Sequence, residues 1–323
     1  MVKIRLATPA DAPAIVAIHC ADIVTWRRWD ADGSVQLADY ADLRPYQRWL
    51  NGGPWMDTAT YAPFLARWQA PGGGGVALVA EVEGQVRAMA EAMVADEPPP
   101  YGRNLNVSVI YALRGHTGQG LGTALMAALT AHARAAGCDT LLVAHAEAPN
   151  FYARHGFRHA ETWRRVRMPA HAGQTVYTAE PQPPGEYAAV AGWGMPVGRY
   201  QSARQEWERI QPDAEPDFEE WRGLRLERWR LGVRHAPAVV VLDETPRERG
   251  VADVHLWAPA GGPAGQPLSR QLLAAVRDRA ARSGFAELKL FVSEANLPLL
   301  AAGWRDDGYK QQLWLLELKE GHG

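Results

Sequence analysis

Short apolar runs alternate with helix-spaced apolar positions along the whole chain. Val2–Leu6 reads as a strand, and a helix opens near "TPADAPAI" with Thr8 as N-cap and Pro9 in its first turn. Residues 26–68 read as irregular to helical and are crowded with Trp and Tyr. "PGGGG" at 71–75 breaks the pattern, and "VALVAEVEGQVRAMAEAMVADE" then predicts a hairpin turning at Glu83-Gly84. After the prolines at 98–100, "NLNVSVIYAL" is the next strand, with Val107, Val109 and Tyr111 on one face. The loop "RGHTGQGLGTALM", beginning at Arg114, leads into a helix over 123–136. Its Leu125, Met126, Leu129 and His132 recur at helical spacing, and Gly137 closes it. "DTLLVAHAE" is a strand, "APNFYARHGF" a short helix and "AETWRRVRM" a strand. The order is that of a mixed α/β layer built around a strand–glycine loop–helix unit.

"PAHAGQTVYTAEPQPPGEY" is poor in large aliphatic residues and rich in Pro, Gly and Ala. It predicts a connection at 169–186 between a first domain, 1–168, and a second, 187–323. The second begins with a helix near "VGRYQSARQEWERI" and an acidic, Trp-rich helical region running through Trp229. Strands "AVVVLD" and "GVADVHLWAP" follow, then the loop "AGGPAGQPLS", the helix "SRQLLAAVRDRAARSG", the strand "AELKLFV", the short helix "ANLPLLAAGW" and the strand "QQLWLLELK". Both halves thus run helix, Gly stop, strand, Asn and Gly-aromatic, the pattern of a duplicated domain whose second copy has drifted.

Composition narrows the classes. A chain of 323 residues accommodates two domains, and 47% hydrophobic with 22% charged residues is a globular balance. A net charge of -2 gives no electrostatic case for nucleic acid or an anionic membrane. No basic stripe accompanies the 13 tryptophans, so they read as bulky core and lid residues. No apolar run reaches membrane-spanning length and the start lacks a signal-peptide core, so a cytoplasmic protein is expected. Cys20 and Cys138 then read as reduced thiols. His155 and His159 stand four apart, but Gly156 breaks the helix between them, and no metal site is expected.

Three ligands compete for the glycine loop. A Walker loop needs a lysine before its closing Ser/Thr, and Gly122-Thr123 has none. A dinucleotide fingerprint needs G-x-G-x-x-G and a ribose carboxylate ending a strand. Gly118, Gly120 and Gly122 are spaced G-x-G-x-G, and Asp139 precedes its strand. The remaining option is a run of backbone N–H groups at a helix N-terminus, directed at a diphosphate.

One strand later stands "NFYARHGF", 150–157, which places Tyr152 in a short helix. The strand, glycine loop, helix, strand, then Asn and Tyr-x-x-x-Gly-Phe helix, resembles the acetyl-CoA-binding core of the GNAT acyltransferase superfamily. The whole chain resembles tandem-GNAT proteins, two GNAT-like α/β domains with a degenerate second copy. The resemblance implies that Val109, Ile110 and Tyr111 pair with the pantetheine arm and stabilise the developing oxyanion. It implies that the amides of Gly118, Gln119, Gly120, Leu121 and Gly122 hold the pyrophosphate, with Thr123 opening the helix. Thr117 stands where the family has Arg or Gln; in a second register Arg114 takes that place, and in either it can add charge to the phosphates. Tyr152 matches the family acid that protonates the departing CoA thiolate. Asn150 touches the pantetheine or caps its helix.

The general base is not fixed by the resemblance: Glu91, His145 and Glu147 are the candidates. In the second copy Pro263 and Pro267 fall in the loop, and Leu299 and Leu300 replace Phe151 and Tyr152. That copy is expected to be silent and to shape a cleft or an interface, which leaves a homodimer open. The expected activity is direct acetyl transfer from acetyl-CoA to a primary amine on a small molecule or peptide. The alternatives are a non-catalytic CoA- or metabolite-binding protein of the same fold and, less favoured by the glycine spacing, a nucleotide-dependent oxidoreductase. The Trp-rich segments 26–68 and 193–229 are expected to line or cover the acceptor cleft.

Overall fold

The computed structural model describes residues 2–318 apart from 31–33, 174, 213, 215, 235 and 261–267. The first half of the sequence runs β1 (Val2–Leu6), α1 (Ala12–Cys20), β2 (Trp26–Trp29), β3 (Val35–Ala38), α2 (Pro45–Leu50), α3 (Thr58–Trp68), β4 (Gly75–Val82), β5 (Gln85–Asp96), β6 (Arg103–Ala112), α4 (Leu121–Ala135), β7 (Thr140–Val143), α5 (Pro149–Arg154) and β8 (Arg158–Pro169). The second runs β9 (Thr178–Pro181), β10 (Trp193–Val197), α6 (Ala203–Arg209), β11 (Leu226–Val233), β12 (Ala236–Glu244), β13 (Val251–Pro259), α7 (Arg270–Arg282), β14 (Glu287–Ser293) and β15 (Arg305–Glu317). This is the expected mixed α/β architecture. Among the described residues, no helix is long and apolar enough to cross a membrane.

Two compact units form. The first holds Met1–Val94, Val107–Gly137 and Asp213–Glu220; the second holds Ala95–Asn106, Cys138–Pro212 and Trp221–Gly323.

In the first unit the strands lie in the order β1-β4-β5-β6. β4 and β5 are the expected hairpin, antiparallel from Gly75↔Met93 to Val82↔Gln85. Its turn has positive φ at both Glu83 (52°) and Gly84 (75°), the conformation that matches the twist of a tight hairpin. Helices α1 and α3 contribute Ile15, Ile18, Tyr61 and Leu65 to a core completed by Val79, Met89, Met93 and Val109. The 26–68 segment departs from its irregular-to-helical reading. "WRRW" and "VQLA" form the antiparallel pair β2–β3, Trp26↔Ala38 to Trp29↔Val35. Alternation over four residues is too short to show against the surrounding aromatics.

In the second unit the order is β7-β15-β8-β14-β10-β13-β12-β11-β9. Alternation along β12 and β13 sends Val240, Leu242, Val254 and Leu256 into a core with α7, and Val239, Val241 and Trp257 into one with Trp207 of α6. At one end of this order, strands of the two expected copies, 1–168 and 187–323, interleave. β15, the last strand of the second repeat, pairs with β7 of the first, Trp314↔Val143 to Glu317↔Thr140. β8, the last strand of the first repeat, pairs with β14 of the second, Glu287↔Pro169 to Ser293↔Trp163. β8 and β15 also pair with one another, from Arg305↔Arg167 to Leu315↔Arg158.

Three further expectations change. Residues 178–181, expected within the connection, form β9 and pair with β11. "TAEP" is an exposed edge with Pro181 at its end, and carries no apolar alternation to announce it. Trp229 lies in β11, and among the described residues the acidic stretch before it holds the 3-10 turn Glu219–Trp221 in place of a helix. "ANLPLLAAGW" gives a 3-10 turn, Glu294–Leu299, because Pro298 interrupts the helical pattern. Pro263 and Pro267 lie outside the described residues.

Candidate active site

The glycine loop continues β6 in the first unit. Leu113 N–H donates to the Arg87 carbonyl at 2.8 Å, tying the end of β6 to β5, and His116 N–H turns back to the Leu113 carbonyl at 2.9 Å. Gly120 is the N-cap of α4 and is left-handed, φ 81° and ψ 0°. A Cβ there would meet nothing within 4 Å, so glycine serves the backbone conformation and not a close contact inside the protein. The helix starts at Leu121 rather than 123, which puts Gly122 in its first turn. Ala124 N–H is the first to bond along the helix, to Gly120 O at 3.0 Å. The Leu121 and Gly122 amides lie at the helix end, where the dipole is positive, and the N-cap Gly120 has no side chain to cap them. The Gln119 side chain folds onto the Gly115 carbonyl at 3.1 Å. Arg114 is 66% exposed, 3.6 Å from Asp22, and Thr117 is exposed beside it.

Tyr152 and Asn150 belong to the second unit. Tyr152 is buried in α5, edge-on to Phe151 at 5.2 Å and to Phe157 at 5.8 Å. The N-cap of α5 is Ala148, with no side-chain cap, and Asn150 is exposed inside the helix. The capping role expected of Asn150 is therefore corrected: Pro149 occupies the first position and moves the helix start ahead of the Asn. His145 Nε2 stands 3.0 Å from Glu147 Oε1, both side chains partly exposed, and the Tyr309 ring stacks on His145 at 6.3 Å.

Glu91 presents the least ordinary chemistry. On β5, opposite Ala77, it is completely buried. The Tyr61 hydroxyl donates to its Oε1 at 2.5 Å, and Trp55 Nε1 donates to both oxygens at 3.1 and 3.2 Å. Burial pushes the carboxyl up to about 7, while the two donors pull it back. Burial and the adjacent carboxylate push the Tyr61 hydroxyl far up, so the shared proton stays on the phenol. Trp55, Tyr61, Val109 and Tyr111 all belong to one apolar cluster, which brings the strand named for the pantetheine arm to the neighbourhood of Glu91.

Sequence reasoning missed Trp55 and Tyr61 as individuals, having assigned their segment by composition alone. It also missed His19, whose ring stacks on Trp55 at 5.5 Å and lies 4.9 Å from Tyr111. The available signal was position: His19 follows Ile15 and Ile18 on the buried side of α1. Among the described residues, no three His, Cys, Asp or Glu side chains gather so as to hold a metal ion.

Comparison with known proteins follows the same outline. Residues 40–157 match the model of the Acetyltransferase (GNAT) family. No curated protein matches the sequence. The chain is similar to a solved GCN5-related N-acetyltransferase from Anabaena variabilis, with TM-score 0.61, 10% identity, 99% of this chain and 73% of that one covered. It is similar to another from Kribbella flavida, with TM-score 0.56, 12% identity and 98% and 72% covered. It is also similar to Eis1 from Mycobacterium abscessus, with TM-score 0.51, 14% identity and 98% and 74% covered. These identities speak for the fold alone, and the fold extends over nearly the whole chain. The likeness to the Acetyltransferase (GNAT) family covers residues 40–157, and beyond them the similarity is one of fold.

Proposed function

We propose that the protein transfers acetyl from acetyl-CoA directly to a primary amine of a small molecule or peptide. Catalysis is assigned to 1–168, and 187–323 is assigned a non-catalytic role. The observation that carries the reading is Glu91: a buried carboxyl near neutrality, hydrogen-bonded to Tyr61 and Trp55, which share an apolar cluster with Val109 and Tyr111 of β6. Acetyl-CoA supplies the activated acetyl thioester. The chain's own residues do the rest. Val109, Ile110 and Tyr111 bind the pantetheine arm, with Asn150 bordering it. The amides of Gly118, Gln119, Gly120, Leu121 and Gly122, with Thr123, face the diphosphate; Arg114 and Thr117 stand at its edge.

Glu91 takes a proton from the acceptor's ammonium, directly or through water, and Tyr152 gives one to the sulfur. One proton is accepted and one is released, so a turnover leaves Glu91 protonated and Tyr152 as the phenolate until exchange with solvent restores both. Leu299 and Leu300, in the place of Phe151 and Tyr152, pack against the second core and offer no acid.

Calorimetry with acetyl-CoA, CoA and NADH tests the binding, and acetyl-CoA consumption against an amine panel tests the reaction. Tyr152→Phe is expected to lower kcat by about a hundredfold. Failure to bind either CoA species overturns the proposal, and binding without turnover leaves a CoA-binding module.

A further inference from the structure

One buried polar atom has no part in that reading. His19 is 7% exposed, and its Nε2 has no hydrogen-bond partner among the described residues. Burial pushes the ring down to about 4, so it is neutral at pH 7 and carries one lone pair. Buried polar atoms are nearly always satisfied by protein, water or ligand, so this nitrogen is free, among the described residues, of any protein partner that would compete with a ligand. The surroundings say which ligand. The indole of Trp55 stacks on His19 and sends its N–H to Glu91. A single ring therefore separates the unpartnered imidazole nitrogen, an acceptor when the ring proton sits on Nδ1, from a carboxylate. Tyr111 on one side and Phe64, edge-on to Trp55 at 5.9 Å, add two half-buried aromatic rings.

A primary ammonium has three N–H donors and a charge that aromatic faces attract. Two cations of the same unit are paired with carboxylates. Arg5 pairs with Asp11 and Glu81, and Arg48 with Asp57. Arg67 sits 5.8 Å over Phe64 and donates to the Ala214 carbonyl. An acidic group beside the amine would meet the like charge of the ionised Glu91 carboxylate.

We propose that His19, Trp55, Tyr111 and Glu91 seat the acceptor's ammonium group, and that the acceptor is an arylalkyl amine with no carboxylate or phosphate beside the nitrogen. The inference rests on the acetyltransferase reading for its chemistry and on His19 for its specificity.

The test uses amine pairs that differ only in a carboxylate, 2-phenylethylamine against phenylalanine and tryptamine against tryptophan, on the full chain. Wild type is expected to favour the carboxylate-free member by about a hundredfold in kcat/KM. His19→Phe keeps a stacking ring and removes the nitrogen. It is expected to raise KM for 2-phenylethylamine about tenfold while kcat and the calorimetric Kd for acetyl-CoA hold. Equal turnover of both members overturns the proposed acceptor and leaves the acetyltransferase standing. If acetyl-CoA neither binds nor is consumed, the activity falls, and calorimetry of the amines alone decides the seat: no preference for 2-phenylethylamine over phenylalanine overturns it. The wild-type arms do not depend on whether the variant folds.

Discussion

The Tyr61 hydroxyl donates to Glu91 Oε1 at 2.5 Å with both side chains out of contact with water. Such a bond favours the ionised carboxylate, against a burial that favours the acid. As a base Glu91 works only when ionised, so kcat/KM should rise with pH and level off above about 7. Tyr61→Phe removes the stabilising donor and leaves the burial, which moves that limb to higher pH. A pH–rate profile of the two proteins checks it, and a limb that stays in place or moves to lower pH refutes the assignment of Glu91.

Glu91 and His19 should also oppose one another in stability. The folded chain holds the Glu91 proton up to about 7, while the unfolded carboxyl loses it near 4.5. Stability from this source is complete below 4.5 and is lost as pH rises to 7. His19 is held neutral down to about 4, against 6.5 when unfolded, so its share is complete above 6.5 and is lost as pH falls towards 4. Each amounts to roughly 3 kcal/mol, of opposite slope. In Glu91→Gln the opposing slope disappears. Urea midpoints measured from pH 4 to 8 should show the variant gaining on wild type as pH rises; parallel curves would exclude it.

What the sequence made legible follows from how local each signal is. The hairpin around Glu83-Gly84 and the helix after Gly120 are written in contiguous periodicity and turn chemistry, and they stand where they were expected. β9 has four mostly exposed residues and no apolar stripe, so nothing local distinguishes it from a connection. The pairing of Trp314 with Val143 links residues far apart in sequence, a relationship that no periodicity encodes. Glu91 was visible as a candidate, but its partners Trp55 and Tyr61 come from another part of the chain, and burial, which decides its chemistry, is a property of the packed unit. His19 belongs to no motif, and only its place on the buried side of α1 sets it apart.

Buried and exposed ion pairs should separate cleanly under mutation. Glu97 accepts from Arg199 at 3.0 and 3.2 Å and from Ala203 N–H at 2.8 Å, both ionic side chains 1% exposed, while Tyr101 lies 4.3 Å under the guanidinium. Glu97→Ala strands a buried cation and should cost about 3–5 kcal/mol. Arg158 and Glu317 meet at 2.6 Å with 60% and 64% of their side chains exposed, and Glu317→Ala should cost less than about 1 kcal/mol. Denaturant unfolding of the two variants measures both, and comparable losses would contradict the distinction.

The exchanged strands make a prediction about fragments. Residues 1–168 alone would keep β7 and β8 but lose β15 from both and β14 from β8. That fragment should be insoluble or lack cooperative unfolding, and co-expression with 169–323 should restore a soluble complex. Size-exclusion chromatography and thermal melts of the fragments decide it; a monomeric, cooperatively melting 1–168 fragment counts against it.

The same exchange sets an order on synthesis. A ribosome delivers β7 and β8 early, yet the strand that lies between them, β15, is among the last segments to emerge. Until then both strands present open hydrogen-bonding edges, with Leu141, Leu142 and Trp163 awaiting cover. The nascent chain therefore spends most of its translation time unable to cover β7 and β8, and a premature stop anywhere before residue 305 leaves both strands open at once. Chaperone demand during elongation, rather than the equilibrium stability of the finished protein, becomes the quantity that a mutation in β15 would disturb first.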